Sequence, residues 1–94
     1  MNAAALLVRA ADSASADAIV SDGGDGSLWG IPLPAGTFLI AKDRWALIAS
    51  EYAVLDELDE NRPAGVEYFQ TFEYDLSALS INQLTYYLLG KASS

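Results

Sequence analysis

The sequence predicts a small α+β domain in which an antiparallel sheet of about four strands packs against two helices. Apolar and polar residues alternate over 66–76, and a capped helical pattern follows over 81–89. Two short apolar segments over 37–42 and 45–49, joined by a turn, add a hairpin. Because a chain of 94 residues supports one modest core, we expect a single domain over 1–94.

The segment over 66–76 has the clearest strand pattern. β-Branched and aromatic residues dominate it, in agreement with strand propensity. Its apolar row consists of Val66, Tyr68, Phe72, Tyr74 and Leu76, and its polar row of Glu67, Thr71, Glu73 and Asp75. Gln70 interrupts the apolar row and Phe69 the polar one. The pattern therefore predicts a half-buried strand with an aromatic ring on the face that carries the carboxylates.

Helix signals follow this strand. Ser80 is a good N-cap, and Gln83 three residues later completes a capping box. Gly90 is a typical stop residue, with Lys91 beside the negative end of the helix dipole. These residues predict a helix over 81–89.

The region over 37–60 has two interpretations. In the preferred one, strands over 37–42 and 45–49 flank a tight turn, and Ser50 caps a short helix over 51–60. The rival is one helix over 43–60, but its apolar residues form no clean stripe on a helical wheel. We therefore predict the hairpin and the short helix.

The first third of the chain is less decisive. A strand over 27–33 is predicted, and Pro32 and Pro34 restrict it to a sheet edge because each lacks a backbone donor. Residues 3–10 fit either a strand or a helix. Residues 12–26 are small and polar, so we expect a mobile segment that holds at most a short helix capped by Ser13.

The composition argues against an enzyme. The chain contains no histidine and no cysteine, which removes the commonest general base, the thiol nucleophile and the usual zinc ligands. The glycine-rich stretch over 23–26 lacks the lysine of a phosphate loop and the alternating oxygen ligands of a calcium loop. Asp56 and Glu60 share a helical face, but two carboxylates alone make a poor cation site. We therefore expect no catalysis, no metal and no cofactor.

Acidic residues are concentrated in one part of the chain. Eight of the thirteen carboxylates lie between Glu51 and Asp75 with a single cation, Arg62, so this segment carries −7 of the total charge of −8. Such a segment repels nucleic acid and attracts basic surfaces. The predicted partner-binding residues are Glu51, Asp56, Glu57, Asp59, Glu60, Glu67, Phe69, Glu73 and Asp75. The alternative is that the carboxylates are ordinary solubilising residues and that a neighbouring helix buries Phe69.

Three functional hypotheses follow. The first is an inhibitor that occupies a basic, nucleic-acid-binding surface of a protein such as a nuclease. Small size, acidity and missing catalytic residues are similar to the profile of phage-encoded anti-CRISPR and anti-restriction proteins. The second hypothesis is an immunity protein that neutralises a toxin, since these proteins share the profile. The third is a self-assembling structural subunit that uses the long strand or the pair Tyr86–Tyr87, in a homodimer for example.

Partner class and location complete the expectations. Only five cations are present, too few and too scattered for a nucleic-acid-binding patch, so we expect no direct binding of DNA or RNA. No apolar run approaches the length of a membrane helix, and the start of the chain lacks the pattern of a signal peptide. These features predict a cytoplasmic protein, located in the host cytoplasm if a phage encodes it, without a membrane partner.

Overall fold

A computed structural model describes residues 2–75 and 77–93. Its strands are β1 (Asn2–Arg9), β2 (Ser27–Leu28), β3 (Ile31–Pro32), β4 (Phe38–Lys42), β5 (Trp45–Ser50) and β6 (Glu67–Asp75). Its helices are α1 (Ser13–Gly23), α2 (Tyr52–Glu60) and α3 (Ile81–Ser93). Strands β4, β5, β1 and β6 form, in that order, one antiparallel sheet, and β2 pairs with β3 in a second small sheet. The predicted α+β class is confirmed.

Strand β1 lies inside the sheet between β5 and β6. Its residues Leu6, Leu7 and Val8 are fully buried although they point to opposite faces in turn. A strand that is covered on both faces needs no polar row, so its sequence reads as a continuous apolar run. This explains why 3–10 could not be assigned from the sequence, and the strand interpretation is the one realised.

The two faces of the sheet carry separate apolar clusters. On the first face, Leu6 and Val8 pack with residues of α1 and α2, among them Ile19, Leu55 and Leu58. On the second face, the cluster includes Leu7, Leu47, Leu84 and Leu88, the last two from α3. We call these the α1–α2 face and the α3 face. The predicted arrangement with two helices is therefore extended by a third helix, α1.

Strand β6 is the edge strand of the sheet next to β1, and its existence confirms the clearest sequence prediction. A β-bulge interrupts it: Leu7 pairs with Gln70 but Val8 pairs with Tyr68, which leaves Phe69 as the extra residue. Side chains on the two sides of the bulge therefore follow a shifted alternation. The predicted end at Leu76 lies outside the described residues.

The hairpin over 38–50 is confirmed, and the rival single helix over 43–60 is wrong. Strands β4 and β5 are joined by a tight turn in which Asp43 has a positive φ of 54°. The predicted cap Ser50 is also wrong, because this residue ends β5 and its Oγ lies 3.0 Å from Thr37 Oγ1. Glu51 occupies the cap position of α2, and it makes no side-chain capping bond in the described part of the chain.

Helix α1 occupies most of the segment over 12–26, so more of this segment is helical than the sequence predicts. The N-cap is Asp12 rather than Ser13, and its Oδ1 accepts a 2.8 Å bond from Ser15 N–H. A Cβ on Gly23 would lie 2.8 Å from both methyl groups of Leu39. The small side chains of the segment therefore serve close packing of a helix on the sheet. The mobility of 12–26 stays a prediction.

The predicted edge strand over 27–33 is wrong in its length and in its partner. Trp29 and Gly30 both have positive φ, 53° and 82°, and they form the turn of the small β2–β3 hairpin. The chain therefore folds back on itself before it can join the main sheet.

Helix α3 begins as predicted and ends later. Gln83 Oε1 accepts a 2.7 Å bond from Ser80 N–H, and Gln83 N–H donates to Ser80 Oγ at 3.3 Å, which confirms the capping box. The predicted stop at Gly90 is wrong, since α3 continues to Ser93. In this last turn Lys91 Nζ lies 5.0 Å from the ring centre of Phe69 and 5.8 Å from that of Tyr87. These cation–π contacts favour the additional turn.

Candidate partner-binding surface

Helix α2 presents its carboxylates to solvent because its apolar residues face the sheet. Leu55 and Leu58 are buried against the α1–α2 face. Asp56, Glu57 and Glu60 lie on the remaining sides of the helix and are exposed. Three of the predicted partner-binding residues therefore form an accessible group on one helix.

Two carboxylates of β6 lie on the same side of the sheet as α2. Glu73 pairs with Ala4, whose side chain belongs to the cluster beneath α2, and paired residues share a face. Asp75, two residues on, also points to that side, and both residues are exposed. We call Asp56, Glu57, Glu60, Glu73 and Asp75 the acidic face.

Asp59 does not contribute to the acidic face in the predicted way. Its Oδ1 lies 3.1 Å from Arg62 Nε, and Arg62 Nη1 donates a 2.6 Å bond to the carbonyl of Val66. This arrangement fastens the end of α2 to the start of β6. It also commits Arg62, the one cation between Glu51 and Asp75 in the sequence, to contacts within the chain.

Glu67 and Phe69 lie on the other face of the sheet. The expectation that they share a face with Glu73 and Asp75 is wrong, because the bulge at Phe69 shifts the alternation. Glu67 pairs with Arg9 in the β1–β6 register, and its Oε2 accepts a 2.8 Å bond from Arg9 Nη2. The predicted site is therefore divided between two surfaces.

Phe69 is neither a fully exposed anchor nor a buried core residue, since 46% of its surface is accessible. Its ring meets the Trp45 ring edge-on, with centroids 4.9 Å apart and an interplanar angle of 88°. Lys91 covers part of the ring from α3. Its described contacts therefore join β5, β6 and the last turn of α3.

We expect Phe69→Ala to lower the free energy of unfolding by about 1–2 kcal/mol, because it removes an aromatic pair, a cation–π contact and half-buried apolar area. Urea denaturation followed by tryptophan fluorescence measures this change, and the signal of Trp45 should shift as well. The matched control is Tyr86→Ala, which truncates an aromatic residue that is 74% exposed and should cost less than about 0.5 kcal/mol. Equal effects of the two substitutions would contradict the structural role of Phe69.

Asp75 of the acidic face and Glu51, the last carboxylate of the predicted set, differ in their surroundings. Asp75 Oδ1 accepts bonds from Ser77 N–H at 2.9 Å and from Ser77 Oγ at 2.8 Å. These bonds, chiefly that from the Ser77 backbone N–H, hold the pKa of Asp75 below its usual value, so this carboxylate stays ionised to a lower pH than an ordinary aspartate. Glu51 is exposed just before α2 and lines a cleft of about 290 Å³ with the turn over 34–36 and Ile81. The same cleft is lined by Tyr74, which points to the α3 face.

One exposed aromatic residue of β6, Tyr68, is not among the predicted partner-binding residues. The sequence pattern places Tyr68 in the apolar row of β6, but 46% of its surface is accessible. The interruptions at Phe69 and Gln70 are consecutive, and an interruption of both rows at neighbouring positions is the signal of a bulge. Read in this way, the pattern would have placed Glu67 and Glu73 on different faces.

The acidic face presents negative charges to solvent. In residues 2–75 and 77–93 no group of three or more acidic residues is arranged to hold a metal ion. None of the helices of this part of the chain is long and apolar enough to cross a membrane. No protein-family model, curated protein or solved structure matches the chain significantly. Its function must therefore be argued from the geometry of the surface.

Proposed function

We propose that this chain is a non-catalytic binding protein that inhibits a partner by occupying a basic, nucleic-acid-binding surface. The observation that carries the proposal is the acidic face, in which exposed carboxylates from α2 and β6 lie on one side of the sheet. Arg62, the nearest cation in sequence, is already held by Asp59 and the Val66 carbonyl. Carboxylates in this arrangement take the place that phosphates have on the partner.

Such a protein acts by exclusion rather than by chemistry. The side chains of the acidic face are hydrated and exposed, so their long-range attraction speeds the encounter with a basic surface. Aromatic residues close to the face, such as the half-exposed Tyr68 of β6, supply apolar contact area once the surfaces meet. We place this activity in the cytoplasm, where nucleic-acid-binding complexes operate.

Capture with competition tests the proposal. The immobilised protein is incubated with a lysate of the organism that carries the gene or, for a phage gene, of its host. We expect capture of a basic nucleic-acid-binding protein, which is released when duplex DNA or structured RNA is added because both ligands use one surface. If the captured protein binds nucleic acid and this chain at the same time, the inhibitory mechanism is contradicted.

A second candidate function is self-assembly through α3, and one observation favours it. Tyr86 is 74% exposed and Leu89 38% exposed, and both line a shallow hollow on the outer side of the helix with Asn82 and Thr85. Apolar residues at this spacing form a stripe that a second copy can cover. Light scattering decides the matter, since a monomer mass at high protein concentration rules this candidate out.

A further inference from the structure

Strand β6 is the longer of the two edge strands of the main sheet. Side chains of α3 reach its α3 face, where the Tyr87 hydroxyl lies 2.8 Å from Gln70 Oε1 and the Tyr87 ring contacts Phe72. Helices α1 and α3 pack over β4 and β5, and α2 packs over β1 and β5. On its outer side β6 has no partner strand in the described part of the chain. An edge of this kind offers backbone donors and acceptors to a strand from another chain.

The hydrogen-bond alternation identifies which residues of β6 face outward. Ala10 N–H donates a 2.7 Å bond to Arg44 C=O on the β5 side of β1, so alternate residues of β1 bond to β5 and the others to β6. Ala3 and Ala5 therefore bond to β6, and their partners are Tyr74 and Phe72. It follows that Thr71 and Glu73 direct their N–H and C=O groups away from β1.

This outward stretch has defined ends. The carbonyl of Asp75 already accepts bonds from Ala78 N–H at 2.9 Å and Leu79 N–H at 3.0 Å. At the other end the bulge at Phe69 breaks the regular spacing of the ladder. The edge that can pair with another strand therefore covers residues 70–75.

The side chains of this edge specify what kind of strand fits. Thr71, Glu73 and Asp75 point to the α1–α2 face, whereas Phe72 and Tyr74 point to the α3 face and are half-buried there. A strand paired with β6 would place one row of side chains beside the carboxylates and the other row beside the two rings. Charge complementarity requires lysine or arginine in the first row, and the rings favour apolar residues in the second.

We propose that the outer edge of β6 over 70–75 binds, by antiparallel pairing, a partner strand that alternates basic and apolar residues. This inference rests on the proposed function and specifies how the basic partner is held. A second copy of the chain fits this edge poorly. Antiparallel pairing of β6 with itself would set the row of Glu73 and Asp75 beside the same row of the other copy, and like charges across a pair destabilise it.

A synthetic peptide that alternates lysine and valine over about eight residues tests the pairing. We expect it to slow hydrogen exchange at the Thr71 and Glu73 amides by about tenfold or more. The lysines lie opposite Thr71 and Glu73, so their N–H groups form the bonds. N-methylation of the lysine amides should therefore abolish binding, whereas N-methylation of the valine amides should leave it intact. A peptide with glutamate in place of lysine should not bind.

On the protein side, Thr71→Pro removes an outward donor without removing a bond to β1, so it should lose peptide binding and keep the fold. If this variant fails to fold, the two N-methylated peptides still decide the question. Equal binding of those peptides, or no protection at Thr71 and Glu73, would overturn the pairing. Protection that rises with protein concentration in the absence of peptide would also overturn it, because a second copy then occupies the edge.

The two proposals can fail separately. Suppose that charge reversal on α2 weakens binding of the captured partner, but the peptide does not slow hydrogen exchange of the β6 amides. The edge inference is then wrong and the proposed function stands. If the peptide protects β6 but no basic partner depends on the acidic face, the proposed function is wrong.

Discussion

Leu6→Ala and Leu7→Ala should each lower the free energy of unfolding by about 2–5 kcal/mol, a large part of the roughly 5–15 kcal/mol that stabilises a small domain. Both side chains are fully buried in β1, but they belong to different clusters. Truncation of Leu6 leaves a cavity beneath α1 and α2, and truncation of Leu7 leaves one beneath α3.

Urea denaturation of the two variants checks the prediction, because the change in midpoint at constant slope gives the loss of stability. The matched control is Leu89→Ala, which removes the same atoms from a side chain that is 38% exposed and should cost less than about 1 kcal/mol. If helices covered only one face of the sheet, one of the two core variants would lose as little stability as this control. That result would contradict the arrangement of helices on both faces.

The sequence predicts best those elements in which polar and apolar residues alternate clearly or in which capping residues mark an end. Strand β6 has one solvated row, and α3 carries a capping box at Ser80 and Gln83, so both are visible without knowledge of the fold. Strand β1 shows no such contrast because both of its faces are buried, and only its neighbours in the sheet distinguish it from a helix. Helix α1 was underestimated because alanine and glycine carry little periodic signal, although Gly23 is needed for close packing against Leu39.

The sequence predicts the negative charge of the candidate surface. It does not predict that the residues are divided between the two faces of the sheet. The concentration of carboxylates between Glu51 and Asp75 is a property of the sequence itself. Their distribution depends on the bulge at Phe69, which turns Glu67 to the α3 face, and on Arg62, which binds Asp59. Both effects arise from contacts between elements, so a single pattern along the chain does not reveal them.

The second large effect concerns the speed of binding. A variant with Asp56→Lys, Glu57→Lys and Glu60→Lys reverses the α2 part of the acidic face, and Asp59 is left unchanged to preserve its bond to Arg62. Electrostatic steering raises association rates by about 10- to 1,000-fold, and we expect the variant to lose most of that factor towards the captured partner. Because the three side chains are exposed, the fold and its stability should change little.

The control for this variant has the same net charge, but its substitutions lie on a different part of the molecule. Asp17→Lys, Asp22→Lys and Asp25→Lys replace three exposed carboxylates of α1 and the loop that follows it. Helix α1 packs over β4 and β5, towards the edge of the sheet opposite β6. Comparison of the two variants therefore separates the position of the charge from its total amount.

The most direct test of the proposed function is the association rate constant of the wild type and of these two variants with the captured partner, measured at low ionic strength. We predict a loss of at least tenfold for the α2 variant and a rate close to that of the wild type for the α1 variant. Added salt should slow the wild type towards the α2 variant. Equal rates for the two variants, whether slowed or unchanged, would contradict the claim that the acidic face is the binding surface.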